Sequence, residues 1–97
     1  MPKAFPTLTP DEVIAILLAR GFVLAHSSGS HSHYKGTIRG RGRLVTVDTQ
    51  YDQFDVGRIK DMMAQSGLAR KEFYGSTKQT AKKINLRRVE VPVPSKD

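Results

Sequence analysis

Apolar residues recur along this chain with two periods, and the switches between them mark out its elements. Met1 to Leu8 carries two prolines and no period, so it reads as a lead-in arm. Val13, Ile14, Leu17 and Leu18 then fall at helical spacing, with Ile16 widening the stripe. Thr9-Pro10-Asp11-Glu12 stands just before them. A hydroxyl to cap, a proline at the first helical position and a glutamate three residues after the threonine make a reciprocal capping box. Gly21, after Arg20, is placed to end this first helix.

From there the period drops to two. Phe22 to His26 is a short apolar run and predicts the first strand. The small polar turn Ser27 to Ser30 leads into a second strand over His31 to Ile38, with His31, His33 and Lys35 on one face and Ser32 and Tyr34 on the other. Arg39-Gly40-Arg41-Gly42 predicts a reversal, and Arg43 to Val47 has the β-branched content of a third strand. Connections this short join antiparallel neighbours, because a parallel crossover needs a dozen or more residues. Asp48 to Phe54 reads as a polar loop with two aromatics. Asp55 is placed to cap a second helix with Val56, Ile59, Met62 and Met63 on one face, ending at Gly67. The two methionines read as core filling. Leu68 to Tyr74 allows one further helical turn.

The expected fold is therefore α+β: helix, three strands, helix, with a three-stranded antiparallel sheet carrying both helices on one face. Residues 1–75 form the expected domain and residues 76–97 a basic C-terminal extension. Ser76 to Lys83 is polar and basic without an apolar face. Leu86 to Val91 partly alternates, and Pro92 and Pro94 would confine it to a sheet edge or an extended arm.

Charge narrows the functional classes. The 97 residues carry a formal net charge of +7, and from Ala69 onward eight basic residues face three acidic ones. A small domain so biased meets polyanions, with RNA or DNA ahead of anionic lipid. The absence of cysteine rules out disulfides and thiolate metal sites. No segment is long and apolar enough to span a bilayer, and the N-terminus lacks the apolar core of a signal peptide, so a cytoplasmic protein without membrane contact is expected.

Two of the three histidines share one strand face, and imidazole is the side chain whose charge changes near neutral pH. A metal at His31 and His33 would need Asp48, Asp52 or Asp55 as further ligands, and nothing in their spacing demands it. No cofactor is expected.

Leu18 running into Gly21-Phe22, Gly29-Ser30-His31, Tyr34-Lys35, Val45-Thr46-Val47, and Ile59 with Ser66-Gly67-Leu68 and Phe73 stand in a telling order. Together, over about Thr7 to Tyr74, the pattern resembles the HicA toxin family, small ribonucleases of bacterial toxin–antitoxin pairs with a fold like the double-stranded-RNA-binding domain. The chain departs from that family in three ways. Asp48-Thr49 stands where members often have a proline and a further histidine, the Arg39–Gly42 turn lengthens the central hairpin, and the segment from Ser76 onward is additional.

The resemblance implies a metal-independent endoribonuclease acting on single-stranded RNA, held in check by a HicB-like antitoxin. It places His31 at the family's Gly-Ser-His position as general acid or base. Some members carry the active histidine one place later, where this chain has Ser32. His33 is the second candidate because it shares the face, and Lys35 is placed to hold the scissile phosphate. Arg39, Arg41 and Arg43 on the hairpin, with Lys82, Lys83, Arg87 and Arg88 in the extension, are the residues expected to follow the RNA backbone. The rival reading is a non-catalytic RNA-binding module of the same fold; a protein-interaction domain ranks below both.

Overall fold

The computed structural model describes residues 4–86 and residue 89. Its first helix, α1 (Pro10–Ala19), begins on the expected capping box. The Glu12 amide donates to Thr9 Oγ1 at 3.1 Å, and the Thr9 amide donates to Glu12 Oε1 at 2.9 Å. Val13, Ile16 and Leu17 are buried, while Leu18 lies outside the buried stripe at 54% exposure.

Three strands follow: β1 (Val23–Ser28), β2 (His31–Ile38) and β3 (Arg41–Asp48). They form one antiparallel sheet in the order β1-β2-β3, with a bulge between Leu24 and His26. Tyr34 and Ile38 of β2 and Val45 and Val47 of β3 point into the core, and both α1 and α2 (Val56–Ser66) contact β3. The other sheet face is open. Asp55 caps α2 by accepting the Arg58 amide at 3.0 Å, and Gly67 ends it at φ +77°, where only glycine sits without strain.

Two local expectations are corrected. Phe22 precedes the first strand and is buried, whereas all six residues of β1 are exposed, because β1 is an edge strand that the helices leave uncovered. The central reversal is tighter than Arg39–Gly42. Arg41 and Gly42 already pair in the ladder, and Arg39 and Gly40 alone make the turn at φ 54° and 76°. Positive φ at both central residues matches the twist of a two-residue hairpin.

The described chain also continues past Tyr74 in ordered form. After α3 (Arg70–Tyr74), a last helical turn, α4 (Lys78–Lys82), packs back on the domain, with Thr80 and Ala81 buried. The Thr80 hydroxyl donates to the Tyr74 carbonyl at 2.6 Å, and Arg20 Nε donates to Ser76 Oγ at 2.9 Å. Lys83 donates to the Thr7 carbonyl at 2.8 Å and to Glu12 at 2.9 Å. Five helical residues show too little period to reveal a face in the sequence, and only two side chains do the burying. The edge-strand expectation for Leu86 to Val91, like Arg87 and Arg88, falls largely outside the described residues.

Candidate active site on the open sheet face

Side chains directly opposite one another on paired strands share a face, so the register of the sheet arranges its open side in rows. Ser28, His31 and Asp48 form one row; His26, His33 and Thr46 form the next; Val23, Lys35 and Leu44 form the third. Successive rows are two residues apart along β2, or about 6.6 Å. Three imidazoles and an ammonium group thus share one open face, with His31, His33 and Lys35 in line along β2.

Each histidine has a partner. His31 Nε2 lies 3.4 Å from Asp48 Oδ2, with the carboxylate held in turn by the Gln50 backbone amide and side-chain amide, both at 3.2 Å. Partial burial pushes the Asp48 carboxyl up. Hydrogen bonds from the Ser30 hydroxyl and the Gln50 amide, with His31 alongside, outweigh that and hold it below the ordinary carboxylate range. Asp48 is therefore an anion at neutral pH and fixes the Nε2 side of His31. His33 Nδ1 shares a hydrogen bond with Thr46 Oγ1 at 2.9 Å, and its ring stacks on His26 with centroids 5.8 Å apart and planes 17° apart. That contact leaves Nε2 of His33 for proton exchange.

Lys35 makes no hydrogen bond or ion pair among the described residues, so its charge is open to an anion. The expected arginines are not gathered on this face. Arg39 is tied back to the Gly67 carbonyl at 2.9 Å and ion-paired with Glu72. Arg41 and Arg43 pair with Ile38 and Gly36 in register and so belong to the helix side of the sheet, Arg43 half-buried beneath Gly67. Lys83 is committed to Thr7 and Glu12, and Lys82 is exposed. Among the described residues no three His, Asp or Glu side chains converge as a metal ion would require.

The geometry adds His26, Thr46 and Asp48, which sequence reasoning had given no catalytic part. Their link to the site is the cross-strand register, and the bulge at Ala25 shifts that register by one residue, so strand alternation alone could not place His26 beside His33.

A family model described as the HicA toxin of bacterial toxin–antitoxin systems matches residues 10–68. The chain belongs to the HicA toxin family. The matched span runs from the first residue of α1 past the end of α2 and contains the whole sheet with its histidine rows. No curated protein and no solved structure matches the chain. Membership in HicA implies an antitoxin of the HicB type as partner. No helix among the described residues is long and apolar enough to cross a membrane.

Proposed function

We propose that this HicA toxin is an endoribonuclease that cuts single-stranded RNA in the cytoplasm, without a metal ion, and is restrained by a HicB-like antitoxin. One observation carries the reading: two separately anchored imidazoles and an unpaired lysine stand in adjacent rows on one open sheet face.

Ribonucleolysis of this kind needs a base for the ribose 2′-hydroxyl proton, an acid for the departing 5′-oxygen, and positive charge at the phosphorane between them. The 2′-oxygen attacks phosphorus and the bond to the 5′-oxygen breaks, leaving a 2′,3′-cyclic phosphate and a 5′-hydroxyl. His31 takes one proton-transfer role and His33 the other, while Lys35 faces the phosphate. Asp48 acts as a positioning residue, turning His31 and supporting its cationic form. Single strands suit this site because a splayed backbone reaches in-line geometry that an A-form helix resists. Arg41 and Lys82 are exposed and unpaired among the described residues, but Arg41 stands on the helix side of the sheet, so Lys35 is the cation this face itself offers the RNA.

The test is incubation of the purified chain with end-labelled single-stranded RNA in EDTA. Shortened products ending in cyclic phosphate are expected, with His31→Ala lowering the rate by roughly a hundred- to ten-thousand-fold. Loss in His33→Ala with full activity in His31→Ala would move the principal residue two places along β2. RNA that is bound yet stays whole would make the chain a binding module.

A further inference from the structure

Beyond the histidine rows, on the far side of β3, lies a cavity of about 240 Å³ between β3 and α2. It is smaller than the roughly 300 Å³ or more of a drug-sized pocket, and of a size for one planar ring system. Asp48, the carboxylate beside His31, forms part of its wall. An aromatic and guanidinium cluster borders it. The Arg58 guanidinium carbon lies 4.4 Å from the Tyr51 ring centroid, its Nη2 donates to the Tyr51 hydroxyl at 2.7 Å, and the Tyr51 and Phe54 rings meet at 40° with centroids 5.7 Å apart. Aromatic rings and guanidinium planes are the surfaces on which unpaired RNA bases stack.

Its polar edge is equally defined. Asp61 and Gln65 both line the cavity and stand one turn apart on α2, the spacing that makes two helix residues neighbours. Gln65 Oε1 accepts the Thr46 backbone amide at 3.1 Å. That amide can only donate, so the Gln65 side chain is fixed with Nε2 as its remaining donor. Asp61 has no hydrogen bond or ion pair among the described residues. An acceptor carboxylate thus adjoins a donor amide.

We propose that this cavity is a base-recognition subsite and that the base it takes is guanine. The inference rests on the ribonuclease reading and names the substrate feature of that same site. Guanine presents two adjacent donors, N1–H and N2–H₂, beside the acceptor O6. A single carboxylate takes both donors, and the Gln65 amide serves O6. Adenine and cytosine each bring one amino donor followed by an acceptor, and uracil flanks its one donor with two carbonyls that repel a carboxylate. With the base stacked at Tyr51 and Arg58, the shared Asp48 wall sets its ribose phosphate beside His31. The base itself is neutral, so two aspartates around it do not oppose the RNA, whose charge lies toward Lys35.

The experiment has two arms, both with the full chain. In the first, a randomised single-stranded RNA pool is cut and the new ends are sequenced; guanosine is expected at one fixed position next to the cut, in excess by roughly tenfold. In the second, labelled 2′-O-methyl hexanucleotides that differ only in guanosine or inosine at that position are titrated by anisotropy. Inosine lacks the 2-amino group and should bind about fivefold more weakly, and Asp61→Asn should erase the difference. Cleavage without base preference, or a guanosine–inosine difference that survives Asp61→Asn, overturns the subsite and leaves the ribonuclease intact. A wild-type chain that cuts nothing overturns the ribonuclease reading, while the binding arm still decides the cavity. If Asp61→Asn binds both oligonucleotides as the wild type does and instead loses affinity for the antitoxin, the cavity belongs to the protein partner and the proposal falls.

Discussion

Replacing Gly36 by alanine probes how firmly the strand bearing His33 and Lys35 is held. Gly36 lies on the inward face of β2, and a methyl group built there would sit 2.7 Å from Phe22 Cγ and 2.9 Å from Cδ1 and Cδ2. Phe22 is 1% exposed, so its ring has no open space to swing into. Overpacking of this kind costs about 1–3 kcal/mol. Part is offset, because alanine narrows the unfolded ensemble by about 0.4–1 kcal/mol at a backbone it can adopt. The net is a loss of about 1–2 kcal/mol. In a domain of this size each kcal/mol lowers Tm by about 4–8 °C, so melting followed by circular dichroism should fall by roughly 5–15 °C. Phe22→Leu in the Gly36→Ala background should cost less than the sum of the two single changes, which a double-mutant cycle measures directly. A Gly36→Ala chain that melts with the wild type would refute the reasoning: ring and strand would then have room, and the reactive row would not be clamped from below.

Asp48→Asn should lower kcat about tenfold or more with a smaller change in KM, since it removes the charge that turns His31 while keeping the size of the side chain that walls the cavity; equal losses in both constants would contradict a positioning role. Acid should weaken the fold at two joints. For Glu12 partial burial raises the carboxyl, and bonds from the Thr9 amide and Lys83 outweigh it; for Glu72 the bond from Arg39 pulls it down. Both folded values therefore lie below the ordinary 4.5, so this stability is complete above that pH and drains as pH falls through the lower folded values. Urea midpoints at pH 7 and pH 3 should diverge less in Glu12→Gln than in the wild type. Ending the chain after Gly75 withdraws Thr80 and Ala81 from the core and Lys83 from Glu12, and should lower the urea midpoint; an unchanged midpoint would show that segment to be dispensable for folding.

Local chemistry is what the sequence displays well. The Thr9–Glu12 box, the Asp55 cap and the Gly67 stop were legible because each is set by residues within a few positions of one another. Alternation likewise put His31, His33 and Lys35 on one face. What stayed hidden depends on partners far along the chain. Asp48 reaches His31 through strand register, and His26 reaches His33 through a bulge. Arg39 and Lys83 read as free cations until Glu72 and Glu12 are found beside them. Phe22, Val23 and Leu24 read as one apolar strand run, and the run does not say that a helix will cover only Phe22.

The Lys83 clasp has a bearing on timing. Its two contacts join positions 71 and 76 residues apart, so they close only when almost the entire chain has been made. At about 5–20 residues per second, synthesis reaches Lys83 roughly 4–14 s after Glu12. Through that interval α1 has its own capping box and lacks the Lys83 contact. A nascent chain therefore lacks this closure until the residue that caps α4 has been made, and that residue fastens the first turn of α1.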